Sequence, residues 1–315
     1  VDVAKDVVDS YYGKKSPTKV LMVKKFNKAL AESETISMIA NPSYKWYSEE
    51  YKEAINKGLV MGTILGKKLQ VRGESRDTKW SRKDNGRIDR RLIAELGFGN
   101  ERVFQTTFVE QYSDAFLHIS VDASGSMSGE KWRQTMISTI AIIKAVDMIS
   151  NVDVAVSFRS THDTDRGRGR SGSHPLVLVG YDSRVDKFQK VKKMFPHIYP
   201  GGTTPEGLCF EAIMDDFVPS TTDRDSYFLN FSDGMPMFSN NDMYYTSEEA
   251  LNHTNKMVKK IRDMGIKVLS YFVEDRGYGD NLGDFRRMYG KDAEQINVTN
   301  VVEISKTMNK KFLEK

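Results

Sequence analysis

Oxygen-bearing side chains in three short segments are the residues whose types and spacing are best suited to chemistry. The first segment, DASGS at 122–126, supplies the Asp122 carboxylate and the Ser124 and Ser126 hydroxyls. Hard cations prefer oxygen ligands, and Mg²⁺ takes about six of them while using only one or two carboxylates. A D-x-S-x-S sequence taken alone is more often a helix cap, so the other two segments decide in favour of a metal site.

The second and third segments add a hydroxyl and another carboxylate. In GGTTPEG at 201–207, a proline at the first helical position holds a threonine hydroxyl at the start of a helix. Thr204 is the preferred ligand and Thr203 the alternative. In NFSDG at 230–234, Asp233 ends an apolar run just before a glycine. The sequence therefore predicts one site for Mg²⁺, with Mn²⁺ or Ca²⁺ as alternatives, and its expected ligands are Asp122, Ser124, Ser126, Thr204 and Asp233.

The elements that must position these side chains alternate between strands and helices. Residues 115–121 are apolar and partly β-branched, which predicts a buried strand, and 132–150 have the apolar period of an amphipathic helix. Further strands are predicted at 152–157, 175–179, 226–231 and 266–273, and further helices at 186–195, 205–217, 248–264 and 300–313. Residues 159–173, between two of these strands, are polar and are predicted to form a surface loop.

This alternation predicts a doubly wound α/β fold, with a mainly parallel sheet and helices on both faces. Ligands bind such folds at the carboxyl ends of the strands. Each proposed metal ligand should therefore lie just after a strand, or on a loop that reaches the same edge of the sheet. We assign residues 113–315 to this domain.

Two smaller parts precede the domain. Residues 1–65 are predicted to be a mostly α-helical region, and 66–112 a basic connecting region. The expected elements are helices at 19–30, 49–64 and 89–96, a turn at 84–86 and an edge strand at 106–109. Basic residues outnumber acids by ten to four between Lys67 and Arg91. Because such a run is more often a solvated face, we do not expect nucleic acid as a partner.

Composition and the remaining motifs argue against several function classes. The chain has 315 residues, of which 39% are hydrophobic and 29% charged, with a net charge of +4, as in a soluble globular protein. Its one cysteine, Cys209, excludes an internal disulfide and a cysteine zinc site, and no apolar run suggests a membrane span. The five histidines form no H-E-x-x-H pair, and GTILGKK at 62–68 is one residue too short for a phosphate loop. We therefore predict no catalytic residue and expect a cytoplasmic protein.

The three ligand segments, in this order on an alternating β/α chain, resemble a von Willebrand factor A domain with a complete metal-ion-dependent adhesion site, over about 114–313. The resemblance implies that Ser124, Ser126 and Thr204 bind Mg²⁺ through their hydroxyls. It also implies that Asp122 and Asp233 bind directly or through water. The remaining coordination position would then take a Glu or Asp side chain from a partner protein.

A narrower resemblance begins before the domain. The basic stretch and DNGRIDRRL at 84–92 are similar to the cobaltochelatase CobT subunit and its relatives, many of them phage-encoded. This resemblance implies a hexameric AAA+ ATPase of the MoxR and magnesium-chelatase type as partner. The chain would then be the non-ATPase subunit of a metal-chelatase-like complex, in the host cytoplasm if a phage encodes it. Two alternatives stay open: a phage virion or assembly protein, and an extracellular adhesion protein.

Overall fold

A large mixed sheet runs through the computed structural model, which describes residues 4–7, 18–33, 36–40, 45–73, 76–110, 114–162, 173–240, 243–274, 281–290 and 293–297. In chain order the strands are β1 (Ala4–Val7), β2 (Thr18–Val23), β3 (Arg76–Lys83), β4 (Arg87–Ile88), β5 (Phe104–Glu110), β6 (Asp114–Asp122), β7 (Val152–His162), β8 (His174–Asp182), β9 (Arg224–Ser232), β10 (Phe238–Ser239), β11 (Tyr244–Tyr245), β12 (Lys267–Glu274) and β13 (Glu294–Asn297). The helices are α1 (Lys28–Ala31), α2 (Lys45–Gly73), α3 (Ile93–Leu96), α4 (Glu130–Val146), α5 (Gln189–Met194), α6 (Glu206–Ile213), α7 (Ser247–Asp263) and α8 (Asn281–Tyr289).

The large sheet has eight strands in the order β1-β2-β8-β7-β6-β9-β12-β13. Five neighbouring strands of this sheet are parallel to one another, namely β7, β6, β9, β12 and β13. Strand β2 is parallel to β8. Only the β1–β2 and β7–β8 pairs of this sheet are antiparallel. The predicted α/β class with a mainly parallel sheet is therefore confirmed.

Helices cover both faces of the sheet, as expected from strands that are apolar on both sides. One apolar cluster joins α2, α4 and α5 to side chains such as Leu117 and Ile119 of β6. The other joins α6, α7 and α8 to side chains such as Phe228 of β9 and Phe272 of β12. The strands of the central sheet are thereby buried between two helical layers, which leaves their carboxyl ends as the place for a site.

The chain start differs from the prediction. The prediction of a helix over 19–30 is wrong, because Thr18–Val23 forms β2, a largely buried strand that pairs with β8. Within that stretch only residues 28–30, the first three of α1, are helical. The predicted helix over 49–64 is confirmed within α2, and α2 runs across the boundary predicted at residue 65. Helix makes up just over half of the described part of 1–65, and the same part also contributes two strands to the large sheet.

Glycines allow α2 to pack closely on α4. Gly58, Gly62 and Gly66 recur every four residues and lie on one face of α2. A Cβ placed on Gly62 would lie 2.5 Å from the Ala141 carbonyl oxygen, and one on Gly66 would lie 2.6 Å from the Met148 sulfur. The glycine-containing stretch 62–68 is thus a helix–helix contact within a continuous helix and does not form a phosphate loop.

The basic connecting region forms a separate three-stranded antiparallel sheet in the order β3-β5-β4. The predicted strand at 106–109 exists, but β5 is the central strand of this sheet, so its assignment as an edge strand is wrong. The helix predicted at 89–96 is confirmed only as the four residues of α3, after a turn. Large apolar side chains are exposed on this sheet and on the segment around α3, namely Trp80, Ile88, Ile93, Leu96 and Phe98.

The remaining predicted elements fall close to observed ones. The strands β6, β7, β8, β9 and β12 and the helices α4, α5, α6 and α7 each overlap a predicted element. Strand β7 is longer than predicted and continues through Arg159 to His162, so the first part of the predicted loop is a strand. The rest of that loop, up to residue 172, and the predicted helix at 300–313 lie outside the described residues. Within the described ranges no helix is both long and apolar enough to cross a bilayer.

Candidate metal centre

The two predicted carboxylates lie at the carboxyl ends of neighbouring parallel strands. Asp122 is the last residue of β6, and Asp233 follows the last residue of β9. Val121 and Phe231 are register partners, so the two aspartates leave the sheet side by side. The expectation that the ligands lie just after strands at one edge of the sheet is met for both carboxylates.

Asp122 is fully buried, and hydrogen bonds fix both of its carboxylate oxygens. Its Oδ1 accepts a bond from the Ser124 backbone N–H at 2.9 Å, and its Oδ2 accepts one from the Ser232 hydroxyl at 3.1 Å. Burial raises the pKa of Asp122 to about 7. The positive charge of Arg159 opposes this rise, and the carboxylates of Asp233 and Glu206 add to it.

A chain of hydrogen bonds links the two serines to Asp233. The hydroxyl oxygens of Ser124 and Ser126 are 2.9 Å apart, and the Ser126 hydroxyl donates to Asp233 Oδ1 at 2.8 Å. The other oxygen of Asp233 accepts a bond from Lys131 Nζ at 2.8 Å. Four of the five predicted ligands are therefore gathered in one hydrogen-bonded group. Lys131 is an additional member that sequence reasoning missed.

The threonine loop lies directly against the serine loop. The Gly125 N–H donates to the Gly202 carbonyl at 3.1 Å, and the Gly201 N–H donates to the Ala123 carbonyl at 2.8 Å. Gly202 has a φ of +75°, and a Cβ there would lie 2.2 Å from Thr161 Oγ1, so a side chain would prevent the threonine loop from lying against β7. The two backbone hydrogen bonds therefore hold the threonine loop next to the serines, and Gly202 allows the loop to pack on β7.

The two threonines differ in their surroundings. Thr203 donates its N–H to Thr161 Oγ1 at 3.2 Å, and its own hydroxyl oxygen is enclosed without a hydrogen-bond partner in the described part of the chain. The backbone of Thr204 forms two hydrogen bonds with Met237, at 3.1 and 2.8 Å. Within the described residues, neither threonine hydroxyl bonds to the serines or aspartates. The choice between Thr203 and Thr204 as a ligand therefore stays a proposal.

Comparisons with known proteins give distant structural similarities. No family model and no curated protein matches the chain. Among solved structures, it is similar to the pilus adhesin SpaC from Lactobacillus rhamnosus GG, with 16% identity and a TM-score of 0.43 over 65% of this chain and 31% of the adhesin. The PilB minor pilin from Streptococcus sanguinis gives 13% identity and a TM-score of 0.45 over 67% of this chain and 64% of the pilin.

A third solved structure is proximal thread matrix protein 1 from the mussel byssus, with a zinc-occupied MIDAS motif. Its identity to this chain is 13%, and the TM-score is 0.42 over 69% of this chain and 50% of that protein. The chain thus spans less than two thirds of the length of each of these three proteins. The similarities are too distant to assign the chain to a family or to give it a function.

The donor set of the site fits a hard divalent cation. Hydroxyl and carboxylate oxygens are the ligands that such cations prefer. The enclosed hydroxyl of Thr203, which has no partner among the described residues, also fits, because buried polar atoms normally have a partner. Among the described residues, no group of three or more His, Cys, Asp and Glu side chains gathers as a candidate metal site. A cation bound here would therefore depend on the serine and threonine hydroxyls as well as on two carboxylates.

His118, which lies in β6, is a buried structural residue. Its Nε2 is 2.8 Å from the Ser157 hydroxyl oxygen, and its ring packs against Phe217 and Phe228. Burial lowers the pKa of His118 to about 3, so the ring is neutral at physiological pH. Its contacts are with core side chains and not with the proposed ligands.

Proposed function

We propose that this chain is a metal-dependent protein-binding module. Mg²⁺ or another divalent cation is held by Asp122, Ser124, Ser126, Asp233 and one threonine, and a carboxylate of a partner protein completes the coordination. The observation that carries this proposal is the hydrogen-bonded group that joins both aspartates and both serines at one edge of the sheet. This arrangement does not depend on any similarity to another protein.

The charges of the site suit the capture of an anion. Hydroxyl ligands are neutral, so among the proposed ligands only the two aspartates reduce the charge of a divalent cation. The cation therefore keeps Lewis acidity for a further oxygen ligand. Lys131 bonds to Asp233 and adds a positive charge at the rim, where 21% of its side chain is exposed. A partner carboxylate would therefore meet a site that is more positive than its two aspartates suggest.

Of the two threonines, we propose Thr203 as the ligand. Its enclosed hydroxyl has no hydrogen-bond partner in the described chain, whereas Thr204 serves to fix the loop through its backbone. A cation would supply the interaction that the Thr203 hydroxyl otherwise lacks. Sequence reasoning preferred Thr204, and the two assignments make different predictions for valine substitutions.

The surface beside the site can contact a partner. Met237, which is bonded to the threonine loop, is 42% exposed, and Tyr244 in the neighbouring β10–β11 hairpin is 72% exposed. Adaptable methionine and amphipathic tyrosine side chains are common at protein interfaces. A partner segment with an acidic residue next to apolar ones would fit this rim.

The identity of the partner is a finer proposal. The resemblance of 84–92 to CobT proteins supports a AAA+ ATPase partner and a role in a metal-chelatase-like complex. The solved structures named above are instead two pilus proteins and a byssal matrix protein, so an adhesive or structural role, including one in a phage virion, is the alternative. In each of these roles the partner would supply a carboxylate to the same metal site. Metal binding can therefore be tested without knowing the partner.

Metal binding by the whole chain is the first test. Titration calorimetry with MgCl₂ and MnCl₂ should show one site in the wild type and none in Asp122→Ala. Asp223→Ala is the matched control, because Asp223 is exposed and lies before the first residue of β9, at the opposite end of that strand from Asp233. Binding that survives in Asp122→Ala would contradict the proposed site.

Partner capture is the second test. The chain is immobilised and exposed to an extract of the source cells with Mg²⁺ or with EDTA, and the bound proteins are identified. Proteins retained only with Mg²⁺, and lost in Asp122→Ala, support metal-dependent docking, and a AAA+ ATPase among them supports the finer proposal. Capture of the same proteins in equal amounts with Mg²⁺ and with EDTA would contradict metal-dependent docking.

A further inference from the structure

A buried arginine lies directly below the proposed metal centre. Arg159, in β7, is the register partner of Asp122, and its side chain is 1% exposed. Its guanidinium donates from Nη1 to the Ser120 hydroxyl at 2.8 Å. From Nη2 it donates to the Phe231 carbonyl at 3.2 Å and to the carboxylate of Glu206.

The three partners of this guanidinium have a common position relative to the proposed ligands. Ser120 and Phe231 each come two residues before an aspartate of the site, on β6 and on β9. Glu206, the first residue of α6, comes just after the threonine loop. One side chain is therefore bonded to each of the three chain segments that carry the ligands.

We propose that Arg159 is a positioning residue that fixes the relative placement of the three ligand-bearing segments and so sets the metal preference of the site. This inference rests on the proposed function. Mg²⁺ demands near-ideal octahedral geometry, whereas Ca²⁺ accepts more variable ligand arrangements. A loss of relative placement would therefore weaken Mg²⁺ binding more than Ca²⁺ binding.

The chemistry of the pair supports a positioning role. Glu206 is 0% exposed, so its carboxylate and the guanidinium form an ion pair that is removed from water. Buried ion pairs gain little stability over well-packed apolar side chains, because desolvation offsets their attraction. A planar guanidinium, however, offers several donors in fixed directions, which the single ammonium of lysine does not. The Phe210 ring, 5.2 Å from the guanidinium carbon, restricts its movement further.

Two variants test this inference in the full chain. Arg159→Met/Glu206→Met removes both charges together, so that neither member of this pair is left as a buried charge without the other. Arg159→Lys keeps the positive charge but loses the fixed set of donors. The matched control is Arg287→Met/Glu248→Met, which removes an exposed Arg–Glu pair between α8 and α7.

Calorimetric titrations with MgCl₂ and CaCl₂ give the readout, with thermal unfolding in EDTA as the measure of folding. For the double variant we expect the affinity for Mg²⁺ to fall ~10–100-fold, the range seen when groups that orient metal ligands are removed. The affinity for Ca²⁺ should fall less. Arg159→Lys should shift the Mg²⁺/Ca²⁺ ratio in the same direction, and the control should not shift it.

Several results would overturn the inference. A folded double variant or Arg159→Lys variant with the wild-type ratio of Mg²⁺ to Ca²⁺ affinity would show that Arg159 has no effect on the metal centre. Failure of both variants to fold even with metal present would show that the residue serves the fold as a whole. Absence of metal binding in the wild type would instead refute the proposed function, so the two failures are distinguishable.

Discussion

The affinity of the site for Mg²⁺ should fall steeply in acid, because Asp122 must be ionised to bind a cation. Burial raises the pKa of this carboxyl to about 7, although Arg159 opposes the rise. A proton and a cation therefore compete for the same group close to neutral pH.

The size of the effect follows from this pKa. Each pH unit below 7 lowers the ionised fraction about tenfold, which corresponds to about 1.4 kcal/mol of apparent binding free energy. Between about pH 8 and about pH 5 the Kd for Mg²⁺ should therefore rise roughly 100-fold. An aspartate with an ordinary pKa of about 3.9 would stay ionised over this range and would change the Kd little.

The stability of the metal-free protein should change in the opposite direction. A carboxyl whose pKa is higher in the folded than in the unfolded state makes the folded state bind more protons between the two values. The free energy of unfolding should therefore decrease as the pH rises from about 4 to about 7. Saturating Mg²⁺ should restore stability mainly at the upper end of this range.

Calorimetric titration of MgCl₂ into the metal-free chain at about pH 5, 6, 7 and 8 is the assay. Asp122→Asn keeps the shape of the side chain without its charge, so the residual binding of this variant should depend little on pH. An equal Kd at pH 5 and pH 8 in the wild type would refute the reasoning, since either Asp122 would have an ordinary pKa or it would not be a ligand.

Three further predictions concern single side chains. Lys131→Met should strengthen Mg²⁺ binding by about 1 kcal/mol, because the substitution removes a positive charge and frees the Asp233 oxygen to which the lysine bonds. Weaker binding in the titration would show instead that Lys131 orients Asp233. Thr203→Val should lower Mg²⁺ affinity by about tenfold or more, ~1.4 kcal/mol, without destabilising the metal-free protein. If Thr204→Val lowers the Mg²⁺ affinity and Thr203→Val does not, Thr204 is the ligand, as the sequence predicts. Gly62→Ala should lower the free energy of unfolding in urea by about 1–3 kcal/mol despite the better helix propensity of alanine. The control Gly283→Ala, whose methyl group meets no described atom within 4 Å, should not lower it. Equal effects of the two substitutions would contradict the close α2–α4 contact.

The main strands and the loops of the site could be predicted because local patterns agree there with the final fold. The buried run that ends at Asp122 and the run before Asp233 are both flanked by turn residues, so strand and site are signalled together. The rule that ligands meet at the carboxyl ends of parallel strands then placed the two aspartates on one edge. No geometric information was needed for that step.

Residues that depend on distant partners could not be predicted in this way. The run TKVLMV of β2 is short, contains Lys19 and is followed by Lys24, so its periodicity fits a helix as well as a strand. Its partner β8 is far away in the chain. Arg159 begins a polar stretch that is typical of a surface loop, and only the pairing of β7 with its neighbours makes it a buried residue. Lys131 is one of many lysines, and its bond to Asp233 depends on how α4 packs.

The position of β2 in the large sheet has a consequence for biosynthesis. Leu21 pairs with Leu176, so β2 must wait until the 155 positions that separate these residues have been translated before its parallel neighbour exists. Contacts between such distant segments are slow to form, and an apolar strand without a partner is prone to associate with other chains in the meantime. Refolding from denaturant should therefore be slow and sensitive to protein concentration, and chaperones would matter most between the synthesis of β2 and that of β8.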